Sequence, residues 1–144
     1  MENMAPEWSE QPDFGLYMDQ MVTFVARLYP GLPLTKGMIN SYVKAGLIDR
    51  PEGKKYSRAG LSQLIVICCL KQTSSMEQLK KLLHPGGEVD AEAVYAHFRD
   101  GQAGLQAHLQ LEKELTAMDC ALRAAAFQQL CGGMLRRTDE KQEE

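Results

Sequence analysis

Three sets of side chains in this sequence could carry chemistry: a dense group of cations, four thiols and three imidazoles. Between Leu34 and Leu83 stand Lys36, Lys44, Arg50, Lys54, Lys55, Arg58, Lys71, Lys80 and Lys81, opposed only by Asp49, Glu52 and Glu77; nine minus three leaves +6. The whole chain has 16 Lys and Arg against 19 Asp and Glu, so the remainder holds seven against sixteen, a net of −9. A positive segment inside an acidic protein suits a surface that meets phosphates.

The other two sets are less promising. Cys68 and Cys69 are adjacent, so a helix points them about 100° apart, whereas two metal ligands on one face need a spacing of three or four. With Cys120 and Cys131 they read as buried, reduced thiols acting as small hydrophobes. His84, His97 and His108 are scattered and read as surface or packing groups. The sequence has no nucleophile elbow, no phosphate-cradling glycine loop and no metal spacing. Gly86-Gly87 lacks the flanking strand and the Lys-Ser/Thr that a phosphate loop requires. The expectation is therefore a protein with no cofactor and no metal, and not an enzyme.

The cations need elements to position them. Thr35 can cap a helix through Lys44, with Gly46 at the C-terminal position that wants positive φ and Leu47 folding back on Tyr42. Ile39, Tyr42 and Val43 form its buried side. Lys36, Gly37, Asn40, Ser41 and Lys44 are left outside, a small, polar and basic set that could enter a major groove about 12 Å wide or could equally be a plain solvated face. The loop Ile48 to Ser57 carries Pro51 and Gly53 at turn positions, and its short flanks could pair as a small β-ribbon. Lys54, Lys55 and Arg58 on that ribbon could reach phosphates.

Around this centre the pattern is helical. Met18, Met21, Val22, Val25, Leu28 and Tyr29 recur at spacings of three and four, giving an amphipathic helix from Leu16 to Tyr29 that Pro30, Gly31 and Pro33 end. Ser57 can cap a buried helix in which Leu61, Leu64, Ile65 and Cys68 point inward, with Ile67 and Leu70 on its flank. Ser75 and Gln78 form a capping box for a short helix with Met76, Leu79, Leu82 and Leu83 inward. His84-Pro85-Gly86-Gly87 then breaks the chain. Beyond it, Asp90 can cap a helix through Val94, Tyr95 and Phe98 that Gly101 and Gly104 weaken. Leu111, Leu115, Met118, Leu122 and Ala125 follow at four-three-four-three spacing, a short seam able to pack on the domain or on a second copy.

The expected organisation is a flexible arm over 1–13, with Trp8 tucked onto the domain; a winged helix-turn-helix domain over 14–84; a helical segment for dimerisation or packing over 88–131; and a frayed, disordered tail over 132–144. The fold class is all-α, mainly helical, with a small β wing. The amino terminus has neither a basic n-region nor an apolar h-region, and the longest apolar run, Leu64 to Leu70, falls far short of the roughly 20 residues of a membrane helix. A cytoplasmic protein with no membrane partner is expected.

The central fifty residues resemble the DNA-binding domain of MerR-type regulators. The resemblance lies in Tyr42, in Gly46-Leu47-Ile48, in Lys54 two residues before Tyr56, and in Leu61, Leu64 and Ile67. Leu16-Tyr17-Met18-Asp19-Gln20 and Lys-Lys-Tyr-Ser-Arg at 54–58 more closely resemble a bacterial family defined by a domain of unknown function (domain of unknown function 1836), over roughly residues 12 to 100. The MerR likeness implies a recognition helix followed by a basic wing, and a homodimer formed through a carboxy-terminal helix. The chain departs from it in three ways. Asn40-Ser41 stands where such helices usually carry arginine and tyrosine, the turn Pro30 to Leu34 is longer, and a glycine is missing around Ser74.

The reading that follows is a dimeric regulator that binds double-stranded DNA through Lys36, Asn40, Ser41, Lys44, Lys54, Lys55 and Arg58. If about five phosphates are neutralised per module, log K falls against log salt with a slope of about −4.5. The alternative is a protein-interaction module on the same scaffold, which the overall charge of −3 favours.

Overall fold

The computed structural model of the protein describes residues 4–86, 90–112 and 114–143. Along them run six α-helices: α1 (Met18–Leu28), α2 (Lys36–Lys44), α3 (Arg58–Leu70), α4 (Met76–Leu83), α5 (Ala91–Gln110) and α6 (Ala117–Glu143), preceded by one 3-10 turn at Trp8–Glu10. Mainly helical architecture is what the periodicity predicts. Among the described residues, extended pairing is confined to two isolated antiparallel bridges, Leu16 with Tyr56 and Glu52 with Lys55.

α3 is the axis of the fold. Ser57 opens it by accepting the Gly60 N–H at 3.1 Å, and every residue from Gly60 to Cys68 is buried. A helix that is covered all round must have neighbours on every side, and α1, α4 and α5 supply them. Ile67, expected on the flank, is fully covered. The two polar residues in this stretch are accommodated by specific partners. Ser62 Oγ donates to Gln11 Oε1 at 2.8 Å. Gln63 accepts the Asp49 N–H at 2.8 Å and donates to Asp49 Oδ1 at 3.1 Å, tying the start of the basic loop to the core.

α2 has the ends that its sequence specifies. Thr35 Oγ1 accepts the Met38 N–H at 3.2 Å. At the other end Gly46 adopts φ +78°, the Leu47 N–H reaches Tyr42 O at 2.9 Å, and the Gly46 N–H reaches Val43 O at 3.1 Å. This double bond pattern satisfies carbonyls the helix would otherwise leave open. Ile39 and Tyr42 fix the inner face.

Four expectations are corrected. Residues 4–13 do not form a free arm. Ala5 is buried, its N–H donates to Gln102 Oε1 at 3.0 Å and its carbonyl accepts from Arg99 Nε at 2.8 Å, while Tyr95 Oη donates to Pro6 O at 2.5 Å. Polar residues with no period of their own are held here by α5, some ninety residues away in the chain, which local pattern cannot reveal. Second, α5 runs unbroken through Gly101 and Gly104 to Gln110, and its Tyr95 belongs to the core. The break at 84–86 is therefore no boundary between cores, and Gly87 and Glu88 lie outside the described residues. Third, the seam from Leu111 to Ala125 is interrupted: Leu111 and Leu115 stand between α5 and α6, and Leu111 is exposed. Fourth, the chain from 132 to 143 is helical rather than frayed. Gly132 is buried, with Gln78 against it, and Asp139 pairs with Lys81. The sequence itself carries a signal for the start of α6. Thr116 and Asp119 form a reciprocal cap, the Thr116 N–H donating to Asp119 Oδ2 at 3.1 Å and the Asp119 N–H to Thr116 Oγ1 at 3.1 Å, as the spacing S/T-x-x-D/E specifies. Among the described residues no helix is long and apolar enough to cross a membrane.

Candidate nucleic-acid interface

The first turn of α1 is where two of the cationic residues meet. Tyr17 caps that helix, with its N–H donating to Gln20 Oε1 at 2.9 Å, and Asp19 follows two residues later. Lys36, opening α2, pairs with Asp19 at 2.5 Å. Lys55, from the loop after α2, places Nζ 5.6 Å from the centroid of the Tyr17 ring. One lysine from the helix and one from the loop thus reach the same turn of chain, with both lysines exposed.

Backbone geometry enforces this approach. Leu16 and Tyr56 exchange two hydrogen bonds, at 2.9 and 2.7 Å. Beside them Gly15 adopts φ +78°, and a Cβ there would lie 3.2 Å from Lys55 Cβ; only glycine allows both the backbone conformation and the contact. The loop itself closes on Glu52 and Lys55, bonded at 3.0 and 3.1 Å around Gly53 at φ +63°. The two limbs of the loop do not pair along their length as a ribbon. Tyr56 takes its partner from the segment before α1, because Leu16 and Tyr56 are both buried there.

The expected residues divide into two groups. Lys36, Asn40, Ser41, Lys44, Lys54 and Lys55 are all exposed. The Ser41 hydroxyl donates to the Gly37 carbonyl at 3.0 Å, within its own helix. Arg58 differs. It is half-buried, 3.8 Å from Asp13 and with its guanidinium 5.8 Å from the Trp8 ring centroid, so the segment before α1 already holds it. Trp8 itself is partly buried, 6.2 Å from the Tyr95 ring.

Three residues that the sequence reading did not assign to the site lie beside the loop or the end of α2. Phe14 and Tyr17 are exposed aromatics, Tyr17 beneath Lys55 and Phe14 lining the same cleft as Lys55; the alternation Phe14-Gly15-Leu16-Tyr17 around a buried leucine is their only signal. Lys80 of α4 extends to Gly46 at the end of α2, its Nζ 3.7 Å from where a Cβ would stand, which suits a cation at a helix C-terminus. An open cleft of about 490 Å³ lies alongside, lined by Phe14, Arg50 and Lys55 but also by Asp13, Asp49 and Glu52. Charge there is mixed.

The thiols and imidazoles lie elsewhere. Burial pushes the Cys68 thiol up to about 11 and raises Cys69 as well, so at neutral pH both are protonated and poorly nucleophilic. His108 meets a carboxylate: Nε2 lies 3.4 Å from Glu112, which also accepts from Arg123 at 2.7 Å. Among the described residues no group of three His, Cys, Asp or Glu could hold a metal ion.

No curated protein and no solved structure matches this chain. Residues 6–98, well over half of its length and including everything that shapes the cationic face, match the family described as Domain of unknown function (DUF1836), and the protein belongs to that family.

Proposed function

We propose that the protein is a DNA-binding transcriptional regulator of MerR-like, winged helix-turn-helix type, acting as a homodimer through its carboxy-terminal helix. In this reading α2 is the recognition helix and offers Lys36, Asn40, Ser41 and Lys44 to the major groove, while the turn around Gly53 is a minimal wing whose Lys54 and Lys55 contact phosphates. Arg58 is then a positioning residue, bracing the wing against Trp8 and Asp13. The observation that supports the reading is the convergence of Lys36 and Lys55 on the first turn of α1, which brings helix and loop side by side. Lys44 stands about 12 Å further along α2, a length similar to the width of a major groove, about 12 Å.

The carboxylates of the adjacent cleft favour a second reading, in which the same scaffold binds a protein instead of a duplex. A gel-shift assay with mixed-sequence duplex DNA separates the two. The double variant Lys54→Glu, Lys55→Glu reverses two exposed charges without touching the core, so DNA binding should fall at least tenfold. Wild-type protein that shifts no duplex at low salt would reject the DNA reading in favour of the protein-binding one, and a variant that shifts it equally well would remove Lys54 and Lys55 from the interface.

A further inference from the structure

α6 leans on α4 through polar groups. Gln128 donates to Gln78 at 2.8 Å, Gly132 is buried with Gln78 against it, and Asp139 pairs with Lys81. These props do not fill the space around them. An open cleft of about 370 Å³ remains, lined by the end of α4, the turn after it, His97 of α5 and the last turns of α6. That volume falls in the range of about 300–1,000 Å³ usual for small-molecule sites. The cleft shares no residue with the cationic face.

Its chemistry narrows what it can hold. Leu82, Pro85 and Leu135 make the lining mostly apolar, and Leu82 and Leu135 are half-buried, which suits a flat apolar body. Lys81, the ammonium of the lining, is already committed: it pairs with Asp139 and lies 3.5 Å from Glu77. An anion would find that charge neutralised. His84 Nε2 lies 3.3 Å from the Leu47 carbonyl; a carbonyl only accepts, so Nε2 carries the proton, and Nδ1 of the uncharged ring is left as an acceptor. The Thr138 hydroxyl donates to Met134 O at 3.1 Å, so its oxygen is also left to accept. We propose that the cleft binds a small, uncharged aromatic molecule with one hydrogen-bond donor, of the indole or phenol class. Its ring lies against Leu82, Pro85 and Leu135, and its N–H or O–H is donated to His84 Nδ1. The other nitrogen of the same imidazole holds Leu47, next to the Gly46 turn that ends α2, so occupancy is felt at that end of α2.

The test is an amide NMR titration of the full chain at mildly alkaline pH, where imidazole is uncharged. The probes are indole and N-methylindole, which has the same ring and no donor. Indole should shift the amides of His97 and Leu135 saturably, together with that of Ile48, whose peptide group contains the Leu47 carbonyl. N-methylindole should bind about fivefold more weakly, the worth of one neutral hydrogen bond. In His84→Phe the two probes should bind equally, still shifting Leu135 but no longer Ile48. No shift at His97 and Leu135 up to the solubility of indole overturns the site. Equal binding of both probes by wild type, or a preference for indole that survives in His84→Phe, overturns the assigned acceptor and with it the ligand class. Each of these outcomes is independent of whether the cationic face binds a duplex.

Discussion

Arg99→Ala should release the amino-terminal segment from α5 while leaving the six helices folded. Arg99 Nε donates to the Ala5 carbonyl at 2.8 Å, and its Nη1 lies 3.3 Å from the Glu7 carboxylate. A hydrogen bond from a charged donor contributes about 1.5–3 kcal/mol. The ion pair, with Glu7 60% exposed, adds at most about 0.5 kcal/mol. Together the loss is about 2 kcal/mol, or roughly a 30-fold shift in the docking equilibrium of the segment. The protein carries a single tryptophan, Trp8, partly buried within that segment, so its fluorescence reports docking directly. Emission should shift to the red and acrylamide quenching should rise, while far-UV circular dichroism stays within error of wild type. Because Arg58 lies over the same ring, the start of α3 and the loop before it should loosen too. Unchanged quenching in Arg99→Ala would refute the argument that these two contacts hold the segment.

Two further predictions concern the helix ends. Gly46→Ala meets no obstruction, since the added Cβ would find only Lys80 at 3.7 Å; the cost is the left-handed backbone alone, about 1 kcal/mol, read as a lowered midpoint in urea unfolding. No loss of stability would mean that α2 ends without the φ +78° turn. At the start of α6, hydrogen bonds from the Thr116 backbone and side chain hold the Asp119 carboxyl below its usual range, and the Arg123 guanidinium does the same for Glu112. Depressed values in the folded state mean that this stabilisation is complete above the ordinary carboxylate range, near pH 4, and is lost as pH falls through the lowered values. Carboxyl NMR titration should place both below model peptides, with helix signal from the first turn of α6 fading on acidification. An Asp119 that titrates like a free aspartate would contradict the cap.

The parts of this fold that were legible in the sequence are those specified by near neighbours. Thr35, Gly46, Ser57 and the Ser75–Gln78 box each act within a turn of chain, and each does in the structure what its type and spacing imply. The α1 and α2 core faces were readable for the same reason: a period of 3.6 needs no knowledge of the partner. What could not be read depends on residues far apart. The pairing of Leu16 with Tyr56, the seat of Ala5 against Arg99 and Gln102, and the position of Arg58 over Trp8 each join distant segments through one or two atoms. Of the candidate site, the exposed lysines of α2 and the loop were identifiable by charge. That Lys36 and Lys55 share the first turn of α1 was not, and neither was the commitment of Arg58 elsewhere. The glycines of α5 and of α6 misled because their helix penalty, about 1 kcal/mol each, is outweighed when neighbouring turns are anchored by Tyr95, Gln128 and Asp139.

The central claim is that the face formed by α2 and the turn after it meets phosphates, and a fluorescence anisotropy titration of a mixed-sequence duplex over a range of salt concentrations tests it most directly. With Lys44, Lys54 and Lys55 exposed, Lys36 paired with Asp19 and Arg58 engaged, about three phosphates should be neutralised per module, and log K should fall against log salt with a slope of about −2.7 per module. Binding that ignores salt, or no binding in the most dilute buffer, would contradict it.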